Sequence, residues 1–197
     1  MQTARRAAFV LLIVWLAPLA VNAQAEVLSP KAQALAVALA KLKEHPNDFA
    51  AQEYYLDTFP RNYNEFLQLF DLDRELYFDS HDYISILPSL AKTHELQVGQ
   101  LLVGLSKNAH YEADAPGDLR DVTTEYGSEH TKIFARLLLR LSATDRAHEI
   151  TFLADAENFG GYPDFQKLID NLKSLGQQQL ARAFETARTK RKKQPHD

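Results

Sequence analysis

Two short stretches of this 197-residue chain gather residue types that bind metals or move protons: Asp79-Ser80-His81-Asp82 and His110-Tyr111-Glu112-Ala113-Asp114. Imidazole beside hard carboxylates is a donor set for zinc or a similar ion. A hydrolytic centre made from His81, Asp82, His110 and Asp114 would need folding to bring three or four of them to about 2 Å from one ion. Neither stretch has the spacing of a known metal motif, and both read more simply as helix ends, where Asp and Ser supply caps. His130 and His148 each stand near a Glu in charged surroundings and are expected in solvent. Ser89-Leu90-Ala91-Lys92 places an amine one helical turn from a hydroxyl, but the S-D-N and K-T-G companions of that motif are missing. There is no G-x-S-x-G, no H-E-x-x-H, no cysteine nucleophile and no glycine-rich phosphate loop. The expectation is therefore a non-enzymatic protein with no cofactor, the alternative being a metal-dependent hydrolase built on the His/Asp residues.

Aromatic side chains are the other unusual feature. Tyr54, Tyr55, Phe59, Tyr63, Phe66, Phe70, Tyr77, Phe78 and Tyr83 fall within thirty residues, too many to point one way from short helices. Most must fill a core. A surplus, for which Tyr54, Tyr55, Tyr63 and Tyr77 are the candidates, would form a tyrosine-rich patch able to anchor a protein interface.

The N-terminus has the order of an export signal: Arg5 and Arg6, an apolar run from Ala7 to Val21, then Asn22-Ala23-Gln24-Ala25. The run of 15 residues contains Pro18 and falls short of the roughly 20 that cross a bilayer, so a cleaved leader over 1–25 is expected rather than an anchor. Processing leaves 172 residues, enough for one core, placed in the periplasm or outside the cell. With no cysteine, packing alone must hold that domain, and ten of the 11 Phe and all 8 Tyr are available to do it. Losing Arg5 and Arg6 leaves 20 basic residues against 26 acidic ones, a net charge of −6. Five of the 20 lie in 188–197, at Arg188, Lys190, Arg191, Lys192 and Lys193. The acidic body disfavours nucleic acid and favours a cationic protein partner, while the basic tail, expected to be a disordered solvated end, offers contact with an anionic envelope surface.

Between these ends, residues 26–187 read as eight to ten short helices separated by caps and breakers. Ser29-Pro30 opens the first, which stops at His45-Pro46. Asn47 is the expected cap of the second, ended by Phe59-Pro60, and Asn62 or Asn64 that of the third. A fourth segment over 80–92 contains Pro88 and should kink or break there. Residues 96–105 form a fifth despite Gly99 and Gly104, each costing about 1 kcal/mol relative to Ala. A short helix after Asp114-Ala-Pro-Gly-Asp118 is expected to close at Gly127, with Ser128 capping the next. Thr144 should cap the helix after that, ended by Gly160-Gly161. Tyr162-Pro163-Asp164 leads into another, which Gly176 stops, and a last helix carries Leu180, Ala181, Phe184 and Ala187. No segment alternates like a strand between hairpin turns. The fold class is all-α, either one compact multi-helix domain or a short stack of helical hairpins.

The order Phe59-Pro60-Arg61-Asn62-Tyr63-Asn64-Glu65-Phe66, then Tyr83-Ile84, then Glu112-Ala113-Asp114-Ala115, resembles a group of exported bacterial helical proteins without assigned activity, over about residues 50 to 175. In that group an aromatic often precedes the Ala-Asp-Ala element, where this chain has Glu112. The resemblance implies a bacterial periplasmic or secreted setting and supplies no catalytic residues. Neutralisation of a toxin or enzyme, as by an immunity protein or inhibitor, is the function most consistent with a small acidic exported helical domain.

Trp15 is the sole tryptophan and lies in the leader. The processed protein is expected to emit with a tyrosine-type spectrum, and tryptophan emission from purified mature protein would show that the leader is retained.

Overall fold

Capping side chains set most of the helix starts. The computed structural model describes residues 28–110, 114–155 and 162–191, so the leader expected over 1–25 lies outside the described residues. Ser29 opens α1 (Pro30–Glu44) by accepting from the Ala32 amide, with Pro30 at the first helical position. Leu35, Ala38, Leu39 and Leu42 give α1 its buried stripe. Asp48, not Asn47, caps α2 (Phe49–Thr58), its carboxylate accepting from the amides of Ala50 and Ala51. Asn62 caps α3 (Tyr63–Phe70) in a reciprocal box: Glu65 N–H donates to Asn62 Oδ1, and Arg61 N–H donates to Glu65 Oε2.

The segment expected over 80–92 breaks earlier than Pro88. Helix α4 (Ser80–Ile84) is a single short turn, and α5 (Leu87–Ser106) begins with Pro88 inside its first turn, where the missing N–H costs nothing. Helix α5 therefore absorbs the later half of one expected segment and the whole of the next. The boundary between them survives as a non-helical residue, His94 (φ −122°, ψ 42°), inside α5.

The largest departure concerns α6 (Asp114–Glu129), which runs straight through Gly127. Ser128 is not a cap. Its hydroxyl lies within hydrogen-bonding distance of the Glu125 carbonyl and the Asp164 carboxylate, and the chain breaks instead at His130 (φ −114°, ψ 37°) before α7 (Thr131–Arg140). Ser142, rather than Thr144, caps α8 (Ala143–Leu153) by accepting from Asp145 N–H. Gly160-Gly161 lies outside the described residues. Helix α9 (Tyr162–Ser174) ends at Gly176 (φ +74°), where the amides of Gln177 and Gly176 return to the carbonyls of Leu172 and Lys173. Helix α10 (Gln178–Arg191) continues past the boundary expected at 188, and Arg188 is held by a 2.7 Å hydrogen bond to Gln166 of α9.

These ten helices, with no strand among the described residues, form one compact all-α domain around α6. Helix α6 packs against α4, α5, α7, α8 and α9, and buries eleven of its sixteen residues. Its buried threonine hydroxyls bond to its own backbone: Thr123 to the Leu119 carbonyl and Thr124 to that of Arg120. A second cluster of rings fills the space among α2, α3 and α4, with Phe59, Phe66, Phe70 and Tyr83 at centroid separations of 5.0–6.0 Å. No described helix is long and apolar enough to cross a membrane.

Gly99 explains why α5 tolerates a poor helix former. Tyr126 of α6 donates to the Glu95 carbonyl one turn before Gly99, at 2.8 Å, so its phenol lies flat on the α5 backbone. A Cβ at Gly99 would collide with the Tyr126 hydroxyl and stand 2.7 Å from its Cζ and 2.9 Å from Leu137 Cδ1. Helix propensity alone favours Gly99→Ala by about 1 kcal/mol, whereas overpacking costs ~1–3 kcal/mol. Denaturant unfolding of Gly99→Ala is expected to show a net loss of stability; a gain of the propensity value would mean that α5 and α6 do not approach so closely.

Candidate functional site

Folding brings the first His/Asp cluster and Asp114 of the second to one seam, where the turn before α4 and α4 itself face the first turns of α6. They do not converge there. His81 Nδ1 lies 3.1 Å from Asp118 Oδ1. Tyr77 donates to Asp114 Oδ2 at 2.9 Å. Lys43 of α1 reaches Asp82 Oδ2 at 2.7 Å and holds that carboxyl below its ordinary range. His110 offers its backbone carbonyl to the Tyr63 hydroxyl at 2.8 Å, with its ring edge-on to the Tyr63 ring. Each candidate ligand thus serves a different pair, and among the described residues no group of three or more His, Asp or Glu is placed to hold a metal ion. Glu112 lies outside the described residues. Asp79 occupies the N-cap position of α4 without making a side-chain cap bond.

The four tyrosines do not share a patch. Tyr55 is fully buried and donates to the Tyr83 carbonyl, and Tyr63 is buried beside Phe66. Burial raises the Tyr55 phenol well above its ordinary value. Only Tyr54, on α2 beneath Lys41, and the half-buried Tyr77 reach the surface. Ser89 Oγ, in the serine–lysine pattern, donates to the Ile86 carbonyl at 2.7 Å. His130, expected in solvent, is instead clamped at α5: its ring stacks on Tyr126 at 4.9 Å and its Nδ1 lies 2.8 Å from Glu95 Oε1. His148 is exposed.

The residue that sequence reasoning passed over is Phe78. Its ring is 93% exposed, the most exposed of the large hydrophobics described. It stands edge-on to Tyr77 with centroids 5.2 Å apart, and Tyr77 is tied to α6 through Asp114. The bond to Asp114 is the main cause that raises the Tyr77 phenol. Backbone bonds from Tyr77 N–H to the Arg74 carbonyl and from Ser80 N–H to the Tyr77 carbonyl hold the surrounding turn. Leu72, also exposed, lies on the same segment, whose charged residues are Asp71, Asp73, Arg74, Glu75, Asp79 and Asp82.

A groove of ≈ 540 Å³ lies between the start of α1 and the same turn, lined by Ser29, Lys31, Gln68, Asp73, Arg74 and Glu75 among others. Glu75 is engaged there by the Ser29 amide at 2.9 Å and hydroxyl at 3.2 Å, which fixes the entry of the chain into α1.

Inside the domain, Glu149 of α8 is fully buried. Ser106 Oγ on α5 lies 2.7 Å from Glu149 Oε1 and 2.6 Å from the Leu102 carbonyl, while Glu149 Oε2 has no partner among the described residues. One hydroxyl proton cannot serve two acceptors. Protonating Glu149 removes the conflict, because the acid O–H then donates to Ser106 and Ser106 donates to Leu102. Burial accordingly pushes the Glu149 carboxyl up to about 8, against smaller downward pulls from Ser106 and Lys107. With no exposed atom to meet a substrate, Glu149 is a structural acid. Arg120 is also buried, and its Nε and Nη2 both donate to Asp121 Oδ1 at 3.0 and 2.9 Å. Desolvation still raises the Asp121 carboxyl, outweighing that guanidinium.

Comparison with protein-family models, with curated proteins and with solved structures finds no match to this chain.

The Glu149 carboxyl titrates at about 8 when folded, against 4.5 for the ordinary value. A folded pKa above the unfolded one gives stability that is complete below about 4.5 and is lost as pH rises through about 8. The loss from this group is on the order of 5 kcal/mol at its limit. Glu149→Gln, which cannot ionise, is expected to flatten the decline of unfolding free energy from about pH 5 to about pH 8; a variant that declines as steeply as the parent would contradict the assignment.

Proposed function

We propose that this chain is an exported, non-enzymatic binding domain of the bacterial periplasm that occupies a basic protein partner, in the manner of an inhibitor or immunity protein. The observation that carries this reading is Phe78, a large apolar side chain held out from a hydrogen-bonded turn on a segment that also carries Asp71, Asp73, Glu75, Asp79 and Asp82. A large exposed ring carried on a hydrogen-bonded turn is suited to anchor an interface. The acids around it set the sign of the partner: like charges would repel on approach, and a basic protein would be steered in. The leader over 1–25 and the net charge of −6 after its removal support the setting and the preference.

Affinity capture from periplasmic extract tests the proposal. The tagged mature chain is expected to retain one basic protein in stoichiometric amount, and Phe78→Ser to lose it while keeping its helical dichroism. Recovery of no stoichiometric partner under several growth conditions would contradict the reading.

A further inference from the structure

What covers Phe78 can be narrowed by asking which chemistry tolerates its surroundings. Asp79 follows Phe78 directly and makes no side-chain hydrogen bond among the described residues, whereas Asp82 is taken by Lys43 and Glu75 by Ser29. Asp114 and Asp118 approach from α6. A purely apolar partner lying on the Phe78 ring would strip water from Asp79 and give it nothing in return, and desolvating an unpaired carboxylate outweighs the gain from one phenyl group. A cation reverses the balance, since the face of the ring attracts positive charge and the carboxylate pairs with it. Between the two cationic side chains, the planar, weakly hydrated guanidinium both stacks on a ring and forks onto a carboxylate, while an ammonium gives up more hydration to do either.

We propose that Phe78 and Asp79 together form a capture site for an arginine side chain, with the guanidinium lying on the Phe78 ring and donating to the Asp79 carboxylate. Tyr77 is the positioning residue: edge-on to Phe78 and tethered to Asp114, it fixes the angle at which the ring is offered. The inference rests on the reading of this turn as a recognition surface, and names the side chain recognised.

The test is a titration of the isotope-labelled mature chain with hexa-arginine peptide, with hexalysine as comparator, in buffer of roughly physiological ionic strength so that diffuse attraction to an acidic protein is screened. Hexa-arginine is expected to shift the resonances of residues 77–79 and to bind more tightly than hexalysine. Phe78→Leu, which keeps an apolar side chain but has no ring face, should weaken hexa-arginine binding roughly five- to tenfold, and Phe78→Trp should preserve it or improve it. Asp79→Asn should weaken it as well. Equal binding by Phe78→Leu, or shifts spread over other acidic surfaces with none at 77–79, would overturn the proposal. The two readings fail separately. A periplasmic partner lost with Phe78→Ser but fully retained by Phe78→Leu would leave the binding domain standing and remove the arginine site; an arginine site without any stoichiometric partner would do the reverse.

Discussion

The close approach of α5 and α6 is the constraint on which the rest of the arrangement depends. Tyr126 can reach the Glu95 carbonyl only because Gly99 has no side chain, and the same Glu95 holds His130 through its carboxylate. One residue of α5 thus grips one residue of α6 and the break that follows it. The break at His130 turns the chain into α7, where Phe134 packs against Gly127 with ring carbons 3.0 Å from where a Cβ would stand. A helix gripped in this way can be surrounded: α4, α7, α8 and α9 all lie against α6, and its buried Thr123 and Thr124 hydroxyls are satisfied by its own backbone rather than by the neighbours. The first turns of α6, fixed by that packing, then present Asp114 to Tyr77 in the turn that carries Phe78 and Asp118 to His81 of α4. The turn that exposes Phe78 is therefore held by the buried spine.

Much of the fold was legible because local signals and tertiary packing agree. Ser29-Pro30, Asn62 and Gly176 each mark a helix end by mechanisms that need no distant partner, and the apolar steps Leu35, Ala38, Leu39 and Leu42 on α1, or Phe165, Leu168, Ile169 and Leu172 on α9, are buried as their spacing implies. Misreadings occur where packing overrides a local rule. Gly127 reads as a stop but marks a close approach to Phe134, and Ser128 reads as a cap but lies by Asp164 thirty-six residues away. Pro88 reads as a break in mid-helix because α4 is too short to show its own end.

The surface was less legible than the core, for a physical reason. Counting aromatics cannot tell which ring a short helix buries: Tyr55 and Tyr63 go inward with Phe59 and Phe66, while Phe78, the more apolar residue, is the one left out. Its exposure follows from the turn between α3 and α4, where bonds such as Leu76 N–H to the Leu69 carbonyl and Tyr77 to Asp114 fix one neighbour inward and so point the next outward. The His/Asp clusters lie near helix ends, and folding does bring the first of them and Asp114 to one seam, but the pairings of Asp82 with Lys43 and of His81 with Asp118 involve residues 39 and 37 positions away that no local motif reveals.

Native-state hydrogen exchange resolved by residue tests most directly the claim that α6 is the buried spine. The amides from Leu119 to Ser128 are expected to exchange only through global unfolding, with a free energy equal to that from denaturant titration, while those of α4 and of residues 71–79 exchange through local opening. Exchange of the α6 amides at the rate of the surface turn would contradict the account, since a helix that opens alone cannot be what holds that surface in place.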